Sequence, residues 1–156
     1  MSVPLCTVAP MSEKKPVRTV AQKMGVKAGS RAHLVDAPED SVAAMALPAL
    51  ELVEELDGEF DYIHLFVTRQ EQMRAAFGSL RNRLRPGGML WVSWPKGGRF
   101  GTDLTMKQVI AIGYDLNMVE SICLRIDEAW AGLKFTRPKP GKIYVNSYGT
   151  LPGQRL

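Results

Sequence analysis

Cysteine is scarce: Cys6 and Cys123 are the only two in 156 residues. Two are too few for a disulfide framework, and their separation matches no metal-ligand spacing, so no metal site is expected. No apolar run approaches the roughly 20 residues that span a bilayer, and the opening Met1–Cys6 stretch carries no signal-peptide pattern. The expectation is a cytoplasmic chain with no membrane partner. Neither Ser41 nor Ser93 sits in a Gly-x-Ser-x-Gly nucleophile elbow, and no set of catalytic residues is expected. Repeats and low-complexity tracts are missing too. Apolar residues at 46% and charged residues at 23% exclude wholesale disorder, and the length gives room for one domain.

One sign of charge is missing from a long stretch. Asp36 to Asp61 holds nine acids and no base. Residues 1–78 carry 8 bases and 11 acids, net −3, whereas residues 79–156 carry 12 bases and 5 acids, net +7. Such polarity steers a charged ligand or orients one copy against another. The basic half has no aromatic-studded RNA-binding stretch and no helix-turn-helix pattern, so nucleic acid is not an expected partner.

Along the chain, residues 1–17 contain three prolines and no apolar periodicity, and read as a flexible arm. A short helix is expected from Thr19 to Val26, then a strand Ala32–Val35, broken by Asp36-Ala37-Pro38. Asp40 or Ser41 is placed to cap a helix that Pro48 closes, and Leu50–Leu56 fits a short strand or a helical turn. Tyr62–Val67 is a continuous apolar run of strand length, the mark of a strand covered on both faces. Thr68-Arg69-Gln70-Glu71 matches a capping box, and Met73, Ala76, Phe77, Leu80 and Leu84 form one helical stripe. Arg81, Arg83 and Arg85 are read into its last turns and Pro86-Gly87-Gly88 as its stop. Met89–Trp94 is the next buried strand, parallel to the first through a right-handed crossover. A glycine-rich loop, Pro95–Gly101, leads to a helix capped by Thr102 or Asp103, with Met106, Val109, Ile110 and Gly113 inward. Ile122, Leu124 and Ile126 then alternate, Asp127–Gly132 turns, and Leu133–Thr136 returns, a hairpin at the sheet edge.

This order of elements resembles class I S-adenosylmethionine-dependent methyltransferases. The likeness lies in the buried strand, the Leu84-Arg85-Pro86-Gly87-Gly88 element before Met89-Leu90-Trp91-Val92, and the closing hairpin. Three stretches also resemble a methyltransferase-like family of small bacterial proteins of unknown function. They are Gly29–Glu39 (GSRAHLVDAPE), Leu90–Lys96 (LWVSWPK) and Ile126–Phe135 (IDEAWAGLKF). The resemblance covers roughly residues 18 to 139 and implies a three-layer α/β sandwich. Its sheet is mostly parallel, of about six strands, and ends in an antiparallel hairpin. Residues 18–139 are thus expected as one methyltransferase-like domain and residues 140–156 as a tail.

The chain departs from that family where the cofactor would sit. The family's first strand runs into a glycine-rich turn, because glycine lets the backbone approach the cofactor closely. Here the matching turn is Asp36-Ala37-Pro38-Glu39-Asp40, with no glycine and a proline that lacks a donor. Only 24 residues separate Asp36 from Asp61, so one strand and one helix are expected to be missing. No cofactor is therefore expected, S-adenosylmethionine being the one the resemblance implies. The leading expectation is a non-catalytic domain that acts through a protein partner or self-association. The alternative is a small-molecule or nucleotide site at the carboxyl ends of the strands, where Asp36, Glu39, Thr68 and Lys96 are the candidate binding residues. Asp127, Glu128 and Trp130, at the hairpin turn, are the candidate interaction residues, with Trp130 either an exposed anchor or folded over the sheet edge. His33 and His64 fall in buried strands and read as packed, hydrogen-bonded rings, and Cys123 as a small hydrophobe.

Overall fold

The computed structural model describes residues 17–154. Helix α1 (Val20–Met24) opens on a reciprocal cap in which Thr19 accepts from the Gln22 N–H and Gln22 accepts from the Thr19 N–H. It ends on Gly25, whose φ of 87° only glycine takes without strain. Strand β1 (Arg31–Val35), helix α2 (Glu39–Met45) and a two-residue strand β2 (Glu51–Leu52) follow. The central unit is strand β3 (Phe60–Phe66), helix α3 (Gln70–Arg81) and strand β4 (Leu84–Pro95). A tight loop, Lys96–Gly101, leads to helix α4 (Met106–Asp115) and the hairpin of β5 (Val119–Arg125) and β6 (Trp130–Thr136).

The six strands form one sheet in the order β2-β1-β3-β4-β6-β5. β2, β1, β3 and β4 run parallel, and β6 runs antiparallel to both its neighbours. Two apolar clusters cover its faces. One gathers Met73, Phe77 and Leu80 of α3 with Val109, Ile110 and Ile112 of α4, and the other gathers Ala21 and Met24 of α1 with Met45 of α2. This is the three-layer α/β sandwich expected, and the continuous apolar run of β3 is sealed from both sides.

Several local expectations are corrected. The Thr68–Glu71 box does not form: α3 begins one residue later, and Gln72 Oε1 accepts from the N–H groups of both Thr68 and Arg69. Helix α3 stops at Arg81, so Arg83 and Arg85 lie beyond it. Leu84 to Gly88 belong to β4, where Leu84 pairs with Phe60 before the register shifts. Neither Asp40 nor Ser41 caps α2, whose N-cap is Pro38, and α4 starts after Thr105, not after Thr102 or Asp103. The Asp103 carboxylate instead accepts from the Gln70 N–H, 33 residues away, at the start of α3. Met106 is exposed rather than inward, and Cys123 is exposed on the edge strand. Gly132 lies within β6.

The expected arm over residues 1–17 lies, Val17 apart, outside the described residues. After Pro140 the chain lies back against the body: Leu151 is buried in the core, and Gln154 bonds both the N–H and the carbonyl of Tyr144. Ile143 and Val145 are exposed on either side of that contact. Among the described residues, no helix is long and apolar enough to cross a membrane.

Gly113 lets α4 close on the sheet, because a Cβ there would overlap the Phe135 ring, itself set edge-on to Phe77 at 5.3 Å. Helix propensity alone makes Gly113→Ala stabilising by about 1 kcal/mol. The overlap reverses the sign, and the variant is expected to lose about 1–3 kcal/mol in urea unfolding. A gain in stability would mean that α4 stands off the sheet.

Candidate functional site: a cleft at the carboxyl ends of the strands

β1, β3, β4 and β5 all deliver their carboxyl ends to one side of the sheet, because only β6 is reversed. Open α/β sheets place their ligands at that side, where the strand order changes direction. A cavity of about 480 Å³ opens there, on the face covered by α1 and α2. Pro38, Asp40 and Ser41 of the first turn of α2 form one wall. Asp127, Glu128, Ala129 and Trp130 of the hairpin form the other, and Phe100 completes it.

One hydrogen bond joins the walls. Ser41 is buried and donates to Asp127 Oδ2 at 2.6 Å. The second Asp127 oxygen accepts from the Ala129 and Trp130 N–H groups, both at 2.9 Å. With three donors on its carboxylate, Asp127 is the strut of the hairpin tip. The cleft's other two carboxylates, Asp40 and Glu128, are exposed. Trp130 is half-buried, edge-on to Phe66 at 5.2 Å, and Phe100 lies over it at 5.9 Å. Both earlier pictures of Trp130 thus hold in part: its inner side packs while its outer side faces the cavity.

The residues named from sequence divide. Asp127, Glu128 and Trp130 line the cleft. Asp36, in the turn after β1, and Glu39, the first residue of α2, are exposed on either side of Ala37 and Pro38, and Asp36 holds a left-handed φ of 55°. Thr68 faces away towards α3: its N–H and hydroxyl go to Gln72, and its carbonyl accepts from Thr102. Lys96 is half-buried and its N–H donates to the Ala129 carbonyl at 2.8 Å, tying the loop to the hairpin. Sequence reasoning missed Asp40, Ser41 and Phe100 as cleft residues. Its available signal was the large aromatic of Gly97-Gly98-Arg99-Phe100-Gly101, set among glycines with no apolar pattern to bury it.

Beneath the cleft lies a sealed polar chain. Tyr62 Oη meets His64 Nδ1 at 2.6 Å, and His64 Nε2 meets Ser93 Oγ at 2.7 Å, with all three side chains buried. Donation from Ser93 to Nε2, from Nδ1–H to Tyr62, and from Tyr62 to Met45 Sδ at 3.9 Å gives every proton an acceptor. Complete burial holds the His64 pKa down to about 3 and pushes the Tyr62 phenol up. His33 lies on the opposite face, since its Cα partner is Ile63, and its Nδ1–H donates to the Val53 carbonyl at 2.8 Å. Neither histidine meets the other. Among the described residues, no group of three or more His, Cys, Asp or Glu side chains gathers as a metal site.

Six strands with one reversed, helices on both faces and a cleft at the strand ends define a Rossmann-like fold of the methyltransferase type. The chain is similar to the ribosomal protein L11 methylase of Lactobacillus delbrueckii subsp. bulgaricus, with a TM-score of 0.50, 14% identity and coverage of 77% of this chain and 75% of that one. It is also similar to precorrin-6y C5,15-methyltransferase of Geobacter metallireducens GS-15, with a TM-score of 0.52, 9% identity and coverage of 76% and 86%. A third likeness is to LepI in complex with SAM, with a TM-score of 0.50, 14% identity and coverage of 76% of this chain but 39% of that one. At these identities the similarity shows the fold. No family model and no curated protein matches the chain.

The turn after β1 lacks the glycines of the cofactor turn that the family resemblance implies. Asp36 there holds a left-handed φ of 55°, Ala37 packs against the apolar cluster on that face, and Pro38 has no N–H to donate.

The buried imidazole sets a pH dependence. Unfolded, His64 takes a proton near 6.5, while folded it stays neutral down to about 3. Its contribution to stability is therefore complete above pH 6.5 and drains away between pH 6.5 and 3, at up to about 1.4 kcal/mol per pH unit. In acid unfolding titrations, His64→Gln is expected to flatten that branch by one proton. An unchanged slope would show that the ring is protonated inside the fold.

Proposed function

We propose that this chain is a methyltransferase-like domain that works by binding rather than by methyl transfer, and that its cleft takes a small organic cation. The observation that carries this reading is the joining of Asp40, Asp127 and Glu128 with the rings of Phe100 and Trp130 around one cavity. Carboxylates at the rim attract a positive group, and aromatic faces hold one without requiring directed hydrogen bonds. The glycine-free turn at Ala37 and Pro38 supports binding without the family's usual cofactor pose. Asp127 works as a strut, its oxygens occupied by Ser41, Ala129 and Trp130.

A second reading gives the same hairpin tip to a protein partner or a second copy of the chain. It is favoured by the exposed Phe100 ring beside half-buried Trp130, an aromatic anchor with an acidic surround. A dimer in native mass spectrometry that Trp130→Ala dissolves would support it over the first.

Isothermal titration with S-adenosylmethionine and S-adenosylhomocysteine separates charge recognition from nucleoside recognition. The sulfonium compound is expected to bind at least about tenfold more tightly than the neutral thioether, a difference of about 1.4 kcal/mol. Asp40→Asn is expected to narrow that gap. Equal affinities would mean that the adenosine is recognised instead, and no heat with the sulfonium or with tetramethylammonium would end the cation reading.

A further inference from the structure

We propose that Phe100 is a movable wall of the cleft that clamps a planar, positively charged heteroaromatic group against Trp130, a specificity that rests on the cation reading above. The two rings are held very differently. Trp130 starts β6 and makes a T-shaped contact with Phe66, which is itself stacked on buried His64 at 4.4 Å, so the indole has a fixed neighbour on the inside. Phe100 is 65% exposed and lies 5.9 Å from the Trp130 ring, tilted by 39°.

Its backbone is unusual as well. Phe100 has a φ of 58°, in the left-handed region that a bulky side chain rarely takes, between Gly98 at 75° and Gly101 at 65°. Gly97 lies in the same region, at 59°. The segment is fastened at its ends: Lys96 N–H donates to the Ala129 carbonyl, Arg69 donates to the Gly101 carbonyl, and Thr102 donates to the Thr68 carbonyl. Inside the segment the Thr102 N–H donates to the Arg99 carbonyl across Phe100 and the Arg99 side chain donates to the Lys96 carbonyl, while Gly98 and Gly101, on either side of Arg99-Phe100, supply the freedom of a hinge. A ring presented to solvent at the expense of backbone strain does little for the core, and points to a role in the cleft.

The spacing names the occupant. Centroids 5.9 Å apart leave no room for a third ring, because flat groups in contact need about 3.5 Å on each side. A planar ligand fits once Phe100 swings outward and lies parallel to Trp130. The rim carboxylates of Asp40 and Glu128 select the charged form of such a ring over the neutral one.

The test compares N-methylpyridinium, planar and charged, with tetramethylammonium, charged only, and pyridine at a pH where it is neutral. Affinity is read by isothermal titration and by quenching of Trp130 fluorescence, Trp91 and Trp94 being buried. The intact chain is expected to prefer N-methylpyridinium to both other probes by about tenfold. Phe100→Ala is expected to abolish the preference over tetramethylammonium, bringing the affinities for the two cations within about threefold of each other. Independently of any probe, Phe100→Gly is expected to melt no lower than the intact chain, since strain is released and little packing is lost. Tetramethylammonium bound as tightly as N-methylpyridinium would overturn the clamp and leave the cation reading standing, whereas binding of neither would end both. A lowered melting temperature in Phe100→Gly would make the ring a packing element and also overturn the clamp.

Discussion

A strand covered on both faces can hold buried polar side chains only if each finds a partner inside the protein, and β3 carries two, Tyr62 and His64. Much of the architecture answers to that constraint. His64 pairs with Trp91 across the ladder and reaches the next residue on the same face, Ser93, which fixes how β4 lies against β3. Ser93 in turn pairs with Gly132, where any side chain would run into Ile126 and press on the Ser93 hydroxyl. Tyr62 continues the chain to Met45 and so locates α2. The polar groups of one strand thus set the position of β4, β6 and the helix that forms one wall of the cleft.

That wall and its opposite come from distant parts of the chain. Ser41 and Asp127 are 86 residues apart, and their bond ties the acidic segment that begins at Asp36 to the tip of the hairpin. The charge asymmetry between the two halves of the chain is therefore not kept at this junction. At the cleft, carboxylates from both halves stand together, and the aromatic rings between them come entirely from the basic half.

The periodic parts of the sequence were readable because burial imposes a local pattern. β3, the stripe on α3 and the hairpin all announce themselves that way, and the resemblance added the sheet type. The misreadings have one physical cause: a nearby plausible partner lost to a distant one. Asp103 reads as the cap of the helix just after it, yet its carboxylate reaches Gln70 in space. Pro86-Gly87-Gly88 reads as a helix stop, yet pairing of Leu84 with Phe60 draws the segment into the sheet. The cleft was half legible. Asp127, Glu128 and Trp130 stand out as a large ring with acids in a turn, but Ser41 and Asp40 look like ordinary caps, and nothing periodic draws attention to Phe100.

The misplaced cap has a consequence of its own. Asp103 and Thr102 close the glycine loop, and the same two residues hold the entrance of α3 through Gln70 and Thr68. Loop and helix start therefore share a single set of restraints, so that a local opening of one costs the bonds of the other. The backbone amide of Gln70, on the far side of the sheet from the cavity, thus owes its protection to an acceptor that the loop supplies rather than to its own helix.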